Sequence, residues 1–219
     1  MKTMAKQEIV VLVHGLYTHG RWLSLLARRL QRTGYATVAF SYPSVRRAPA
    51  DNAGALQDLV ASLDAPVVHF LAHSLGGLVV RHLFSRFPDQ PPGRVVTLGT
   101  PHQGSYTARV ICGRGLQFAL GCSIDQGLLQ DIPPWPPGRE LGSLAGTLNI
   151  GLGRLLAGIP RPSDGTVAVA ETYLPGMTDH ICLPVSHMGM LLAPSVAVQA
   201  CAFFAMGRFN HRMQLGSAH

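Results

Sequence analysis

Short apolar runs alternate along this chain with segments in which apolar residues recur at helical spacing. The runs predict six strands, at about residues 8–14, 35–42, 67–73, 94–99, 146–150 and 180–185. Few polar residues interrupt these runs, which is typical of parallel strands buried on both faces. Helical spacing predicts helices at 22–32, 53–63, 75–87 and 195–206. The alternation predicts an α/β fold with a mainly parallel six-stranded sheet and helices on both faces.

Length and composition fit one domain with a single core. The 219 residues are 47% hydrophobic and 13% charged, as expected of a globular protein. We expect the α/β domain to span residues 1–207. Within it, a Gly-rich and Pro-rich segment at 103–146 is interpreted as an insertion that forms a small lid over the strand ends. Residues 208–219 form a polar tail, a type of segment that is commonly mobile.

Charge, cysteine content and apolar stretches indicate which partners, disulfides and cellular location to expect. The formal charge of +7 comes from scattered basic residues, which favours weak contact with an anionic membrane surface and no nucleic-acid partner. The four cysteines lack metal-site spacing and are interpreted as reduced thiols, with Cys112 and Cys122 the pair to check for a disulfide. No signal peptide is recognised, and prolines interrupt the apolar stretch at 181–207. We therefore expect a cytoplasmic protein; its oligomeric state is left open.

One serine lies between an apolar strand and an apolar helix. The stretch AHSLGG places Ser74 at a direct strand-to-helix turn, where the backbone of the corner residue is strained and Ala72 and Gly76 permit close packing. This is the context of the G-x-S-x-G nucleophile elbow, with Ala72 in place of the first glycine. The alternative interpretation of Ser74 is an ordinary helix N-cap.

A nucleophilic serine needs a histidine as base and an acid that orients the histidine. In an open parallel sheet these groups follow the carboxyl ends of strands. Asp164, in RPSDGTV, follows the expected fifth strand, whereas Asp179 precedes a strand at the wrong edge of the sheet. His187 follows the last strand and precedes the last helix. The alternatives are an Asp-Gly turn for Asp164 and a buried structural role for His187.

Backbone N–H groups would complete the site as an oxyanion hole. The N–H of Leu75 follows the nucleophile, and that of Leu16 lies in the loop after the first strand. Because the chemistry needs a single base, other nearby histidines, His14, His73 and His102, are assigned to loop support. Histidine spacing shows no H-E-x-x-H or comparable motif, so neither a metal nor another cofactor is expected.

Apolar residues of the insertion have two alternative roles. Leu116 and Phe118, together with Tyr17 after the first strand, are the expected substrate-binding residues. If the insertion lines an acyl pocket, medium-chain esters should be preferred, since each buried methylene contributes about 0.8 kcal/mol. If it packs into the core, acetyl and butyryl esters should be the best substrates.

Five motifs together resemble a known family. They are VHG at 13–15, AHSLGG at 72–77, LGTPHQGS at 98–105, SDGTV at 163–167 and SHMGML at 186–191. This set resembles the bacterial lipase and esterase branch of the α/β-hydrolase superfamily over nearly the whole chain. The chain begins at what resembles the family's third strand, so a reduced α/β-hydrolase sheet is expected.

The resemblance implies a catalytic triad of Ser74, Asp164 and His187. It also implies a serine hydrolase that cleaves carboxylic esters of small molecules or lipids through an acyl-enzyme. A thioesterase, an amidase or an acyltransferase would use the same residues, and a non-enzymatic ligand-binding member of the fold is the remaining alternative.

Overall fold

A six-stranded parallel sheet forms the centre of the structure, a computed structural model that describes residues 7–129, 131–151, 153–154 and 158–212. The strands are β1 Ile9–Val13, β2 Ala36–Phe40, β3 Val68–His73, β4 Val95–Leu98, β5 Leu141–Gly146 and β6 Asp179–Leu183. Their order is β2-β1-β3-β4-β5-β6, and every neighbouring pair is parallel. The carboxyl ends of all six strands therefore lie at one edge, where open parallel sheets bind ligands.

Helices cover both faces of the sheet, as the sequence predicts. The α-helices with described bounds are α1 Ser24–Arg32, α2 Pro49–Ala61, α3 Leu75–Arg86, α4 Tyr106–Gly113 and α5 Pro194–Met206. Short 3-10 helices occur at Gly20–Leu23, Gln117–Ala119, Gly121–Ser123, Val169–Thr172 and Gly189–Leu191, and a π-type turn at Ile124–Leu128. Among the described helices, none combines the length and the apolar character needed to cross a membrane.

Two apolar layers form the core, one on each side of the sheet. Leu26 of α1 and Phe203 of α5 pack on one face, and Leu56 of α2 and Val79 of α3 pack on the other. Successive side chains of a strand point to opposite faces, so the continuous apolar runs supply both layers.

The position expected for the fifth strand is wrong. The strand is Leu141–Gly146 rather than 146–150, and its sequence LGSLAG is poor in β-branched residues. A Cβ atom at Gly142 would lie 2.7 Å from ring atoms of both Phe203 and Phe209. Close packing of these rings therefore requires a glycine in the strand, and tertiary packing overrides β-propensity here.

The expected boundaries of the insertion and the tail also need correction. The last six residues assigned to the insertion are β5, and the insertion includes the unpredicted helix α4. In the expected tail, Phe209 is buried and its N–H donates to Asp179 Oδ2 at 2.7 Å. The rest of the expected tail, residues 213–219, lies outside the described residues.

Candidate active site

Ser74 occupies the corner between β3 and α3. Its backbone has φ 54° and ψ −124°, an uncommon conformation for a residue with a side chain. The Ser74 N–H donates to the Leu98 carbonyl at 2.8 Å, and the Ser74 carbonyl accepts from Thr100 Oγ1 at 2.8 Å. These bonds to the end of β4 hold the strained corner. The Ser74 side chain makes no capping hydrogen bond to α3, so the N-cap alternative lacks its defining contact.

Asp164 and His187 form a buried pair. His187 Nδ1 lies 2.7 Å from Asp164 Oδ2, and Asp164 is only 1% exposed. Because a carboxylate oxygen accepts, Nδ1 carries the proton, which leaves the lone pair on Nε2. The other Asp164 oxygen accepts from the N–H groups of Thr166 and Val167 at 2.8 and 2.7 Å. Asp164 therefore both shapes an Asp-Gly turn and orients the imidazole, so the two interpretations of this residue are compatible.

The end of β4 brings the pair next to the serine. A Cβ atom at Gly99 would lie 2.8 Å from Asp164 Oδ2 and 3.1 Å from His187 Nδ1. Gly99 directly follows Leu98, whose carbonyl binds the Ser74 N–H. Among the described residues, the His187 ring makes one hydrogen bond, from Nδ1 to Asp164, and its Nε2 makes none. Hydrogen bonds between a catalytic serine and its histidine commonly align only when substrate binds.

The loop after β1 packs directly on the elbow. A Cβ atom at Gly15 would lie 2.9 Å from Ser74 Cβ, so a glycine is needed for this approach. The Gly15 carbonyl accepts from His14 Nδ1 at 2.8 Å and from Thr18 Oγ1 at 3.0 Å. In a trans peptide, the C=O and the following N–H point in opposite directions. The anchored carbonyl therefore directs the N–H of Leu16 away from His14 and Thr18.

His14 is held in one tautomer. Its Nε2 accepts the backbone N–H of Tyr42 at 3.2 Å, so its proton lies on Nδ1 and is donated to Gly15. Burial lowers the pKa of His14, which favours the neutral ring. Tyr42 also donates its hydroxyl to the His14 carbonyl at 2.7 Å. His14 therefore supports the loop by anchoring the Gly15 carbonyl, and Tyr42, which no sequence motif marks, holds His14 in place.

A buried arginine links the motif LGTPHQGS to the insertion. Arg81 of α3 donates to the carbonyls of His102 and Pro133. His102 Nε2 lies 3.0 Å from Thr97 Oγ1, and burial lowers the pKa of His102 to about 3. The sequence signal for Arg81 is a basic residue among the apolar residues of α3, all of which are buried around it.

The three expected substrate-binding residues are exposed. Tyr17 directly follows Leu16 and is 62% exposed, while Leu116 and Phe118 of the insertion are 42% and 76% exposed. Other apolar residues of the insertion, including Leu120 and Leu128, are buried against α3. No disulfide joins any two of the four cysteines, so Cys112 and Cys122 are not bridged in this structure.

The parallel sheet with its strand-turn-helix elbow is an α/β-hydrolase fold, and several solved structures share it. The mature form of Bacillus licheniformis lipase BlEst2 is 21% identical, with a TM-score of 0.67 over 93% of each chain. The metagenomic carboxyl esterase MGS0156 is 21% identical, with a TM-score of 0.65 over 84% of this chain and 65% of that one. RedJ, a thioesterase from the prodiginine biosynthetic pathway in Streptomyces coelicolor, is 15% identical, with a TM-score of 0.57 over 92% of this chain and 91% of that one.

Residues 1–110 match the family described as Domain of unknown function (DUF7379), and the chain belongs to that family. No curated protein matches the sequence. The matched half contains β1 to β4, the elbow at Ser74 and the loop at Gly15, whereas Asp164 and His187 lie beyond it.

Proposed function

We propose that this protein is a serine hydrolase that cleaves carboxylic esters. The observation that carries the proposal is the buried Asp164–His187 hydrogen bond beside the strained Ser74 corner. Solved structures with this fold include a lipase, a carboxyl esterase and a thioesterase, and they support acyl transfer to water as the class of reaction.

In the proposed mechanism, Ser74 Oγ attacks the ester carbonyl carbon while His187 Nε2 takes the hydroxyl proton. Asp164 stabilises the imidazolium that forms. The tetrahedral intermediate collapses when the bond to the alcohol breaks, and His187 returns the proton to the leaving oxygen. Water then attacks the acyl-enzyme with His187 again as base, which releases the carboxylic acid and regenerates Ser74.

The N–H groups of Leu16 and Leu75 are proposed to bind the oxyanion of each tetrahedral intermediate. Leu75 is the first residue of α3, where backbone N–H groups have no partner within the helix. The positive end of the helix dipole favours negative charge at the same place. Loss of one such donor costs roughly 100-fold to 1,000-fold in kcat. These groups need no metal or other cofactor.

The proposed substrates are esters of small molecules or lipids. Tyr17, Leu116 and Phe118 remain the proposed substrate-binding residues. The net charge of +7, with exposed Arg46 and Arg47 in the loop after β2, supports weak contact with an anionic membrane surface. Binding to vesicles of anionic lipid should weaken as salt rises, because salt screens such contacts.

Labelling with a fluorophosphonate probe tests the proposed function. We expect mass spectrometry to find the adduct on Ser74, and Ser74→Ala to abolish both labelling and hydrolysis of p-nitrophenyl esters. A folded Ser74→Ala variant with full activity would contradict the proposal. A thioesterase is the second candidate, supported by the likeness to RedJ. Matched esters and thioesters with the same acyl chain would separate the two activities.

A further inference from the structure

His73 lies between the proposed nucleophile and the proposed base. It is the last residue of β3, directly precedes Ser74 and is only 2% exposed. Its Nε2 lies 3.1 Å from the backbone carbonyl oxygen of His187. The two imidazole rings also pack together, with centroids 4.6 Å apart and an interplanar angle of 45°. His73 therefore contacts His187 through both its ring and its polar atom.

The hydrogen bond identifies the proton on His73. A carbonyl oxygen can only accept, so Nε2 is the donor and Nδ1 is unprotonated. Nδ1 is buried and has no hydrogen-bond partner among the described residues, and a Cβ atom at Gly15 would lie 3.1 Å from it. Burial, together with the neighbouring His187 and His14, lowers the pKa of His73 well below its usual value. His73 is therefore a neutral ring whose Nε2–H is its one hydrogen-bond donor.

His187 is held by backbone contacts on both sides of its Cα. Its N–H donates to the Asp164 carbonyl at 2.9 Å, and its carbonyl accepts from His73. The first contact ties the base to the acid loop, and the second ties it to the strand that carries Ser74. The titratable groups that face this arrangement are Asp164 on the acid loop, His73 on β3 and His14 after β1.

We propose that His73 is a positioning residue, whose Nε2–H holds the His187 carbonyl and thereby sets the distance between the imidazole of His187 and Ser74. This inference rests on the proposed function and adds a residue to it. Nucleophile and base sit on loops that are far apart in sequence, and a misplacement of about 1 Å can cost roughly 100-fold in rate. The hydrogen bond from His73, the residue next to Ser74, to the backbone carbonyl of His187 reduces that misplacement.

Two substitutions test separately the hydrogen-bond donor and the aromatic ring of His73. His73→Phe keeps an aromatic ring and removes the donor, whereas His73→Gln keeps a donor and removes the ring. We expect kcat to fall roughly 10-fold to 100-fold in His73→Phe, with KM little changed, and to recover in large part in His73→Gln. His69→Gln is the matched control, because His69 lies in the same strand, is also 2% exposed and binds Glu8 rather than the site.

A spectroscopic measurement makes the test independent of turnover. The Nδ1 proton of His187, bound to Asp164, should give a downfield ¹H NMR signal that shifts or broadens in His73→Phe and is unchanged in His69→Gln. If His73→Phe does not fold, His73→Asn, whose side chain is too short to reach the carbonyl, takes its place. An unchanged kcat and an unchanged signal in the folded variant would overturn the proposal, as would full activity in His73→Phe with loss in His73→Gln. Absence of probe on Ser74 in the wild-type protein would instead count against the proposed function, while the NMR signal still tests His73.

Discussion

Asp164 and His187 are joined by two hydrogen bonds, one between side chains and one between backbone groups. The side-chain bond, from His187 Nδ1 to Asp164 Oδ2, is 2.7 Å long, and the backbone bond, from the His187 N–H to the Asp164 carbonyl, is 2.9 Å long. Removing the carboxylate would therefore disturb the imidazole while the backbone bond still holds the two loops together.

This arrangement predicts the effect of Asp164→Asn. The amide cannot hold the imidazole in the same tautomer, so we expect kcat to fall by roughly up to 10,000-fold while the protein stays folded. Asp179→Asn is the control, since Asp179 lies at the amino end of β6 and binds Phe209 and His211. Kinetics with p-nitrophenyl esters and circular dichroism provide the measurements. If Asp179→Asn were the inactive variant, the choice of acid would be wrong.

A second prediction concerns Gly99, where the acid, the base and β4 meet. Its φ is +56°, and a Cβ atom would lie 2.8 Å from Asp164 Oδ2. We expect Gly99→Ala to lower kcat/KM and to destabilise the fold by about 1–3 kcal/mol, through backbone strain and overpacking.

The matched control for Gly99 is Gly54→Ala in α2. A Cβ atom at Gly54 meets nothing within 4 Å. Alanine there should stabilise the protein by about 0.5–1 kcal/mol and leave kcat/KM unchanged. Thermal unfolding and ester hydrolysis measure both effects, and equal behaviour of the two variants would argue against tight packing at Gly99.

Most of the fold follows from local sequence patterns, and one strand does not. Five of the six strands coincide with apolar runs because parallel strands covered on both faces need apolar residues throughout. β5 is the exception, because a glycine at position 142 is needed to make room for Phe203 and Phe209. These two residues are far from Gly142 in sequence, so no local pattern reveals the contact. Local patterns also failed to predict α4 in the insertion, because this helix begins among residues that are typical of loops.

The site is predictable to the extent that topology dictates it. Asp164 and His187 could be chosen because catalytic groups follow the carboxyl ends of parallel strands, and the structure joins them by a hydrogen bond. The contact from His73 to His187 spans 114 positions, and that from Arg81 to Pro133 spans 52. Such contacts depend on side-chain packing across the fold, which neither periodicity nor spacing encodes.

A third prediction is loss of stability in acid, with His102 as one source. Burial lowers the pKa of His102 from 6.5 to about 3, so below pH 6.5 the unfolded chain binds a proton that the folded protein does not. Stability is full above pH 6.5 and falls as the pH drops toward 3. The loss from this residue is roughly 2 kcal/mol at pH 5. His102→Gln should reduce the difference in thermal midpoint between pH 7.5 and pH 5; an unchanged difference would show that His102 does not contribute.

A fourth prediction is that chelators leave activity unchanged. The proposed oxyanion donors are backbone N–H groups and the proposed base is an imidazole, so a cation has no step to assist. In the described ranges, no group of three or more His, Cys, Asp and Glu side chains could hold a metal ion. Ester hydrolysis before and after dialysis against a chelator tests this expectation. Activity that is lost and then restored by one divalent ion would refute it.

The last prediction concerns the acyl chain, because the packing of the insertion separates its two alternative roles. Leu120 and Leu128 are buried in a cluster with Leu75 and Leu78, so they belong to the core and are not free to line a groove. Leu116 and Phe118 of the same insertion remain exposed.

We therefore expect kcat/KM to rise from acetyl to medium-chain esters, because Leu116 and Phe118 are free to contact the acyl chain and each buried methylene contributes about 0.8 kcal/mol. A series of p-nitrophenyl esters of increasing chain length measures this dependence. Leu116→Ala and Phe118→Ala should remove the maximum at medium chain length, with Val198→Ala, an exposed position on α5, as the control. A series that is highest for acetyl to butyryl esters and is unchanged in Leu116→Ala and Phe118→Ala would instead assign the insertion to the core, since only side chains that bury the added methylenes can move the maximum.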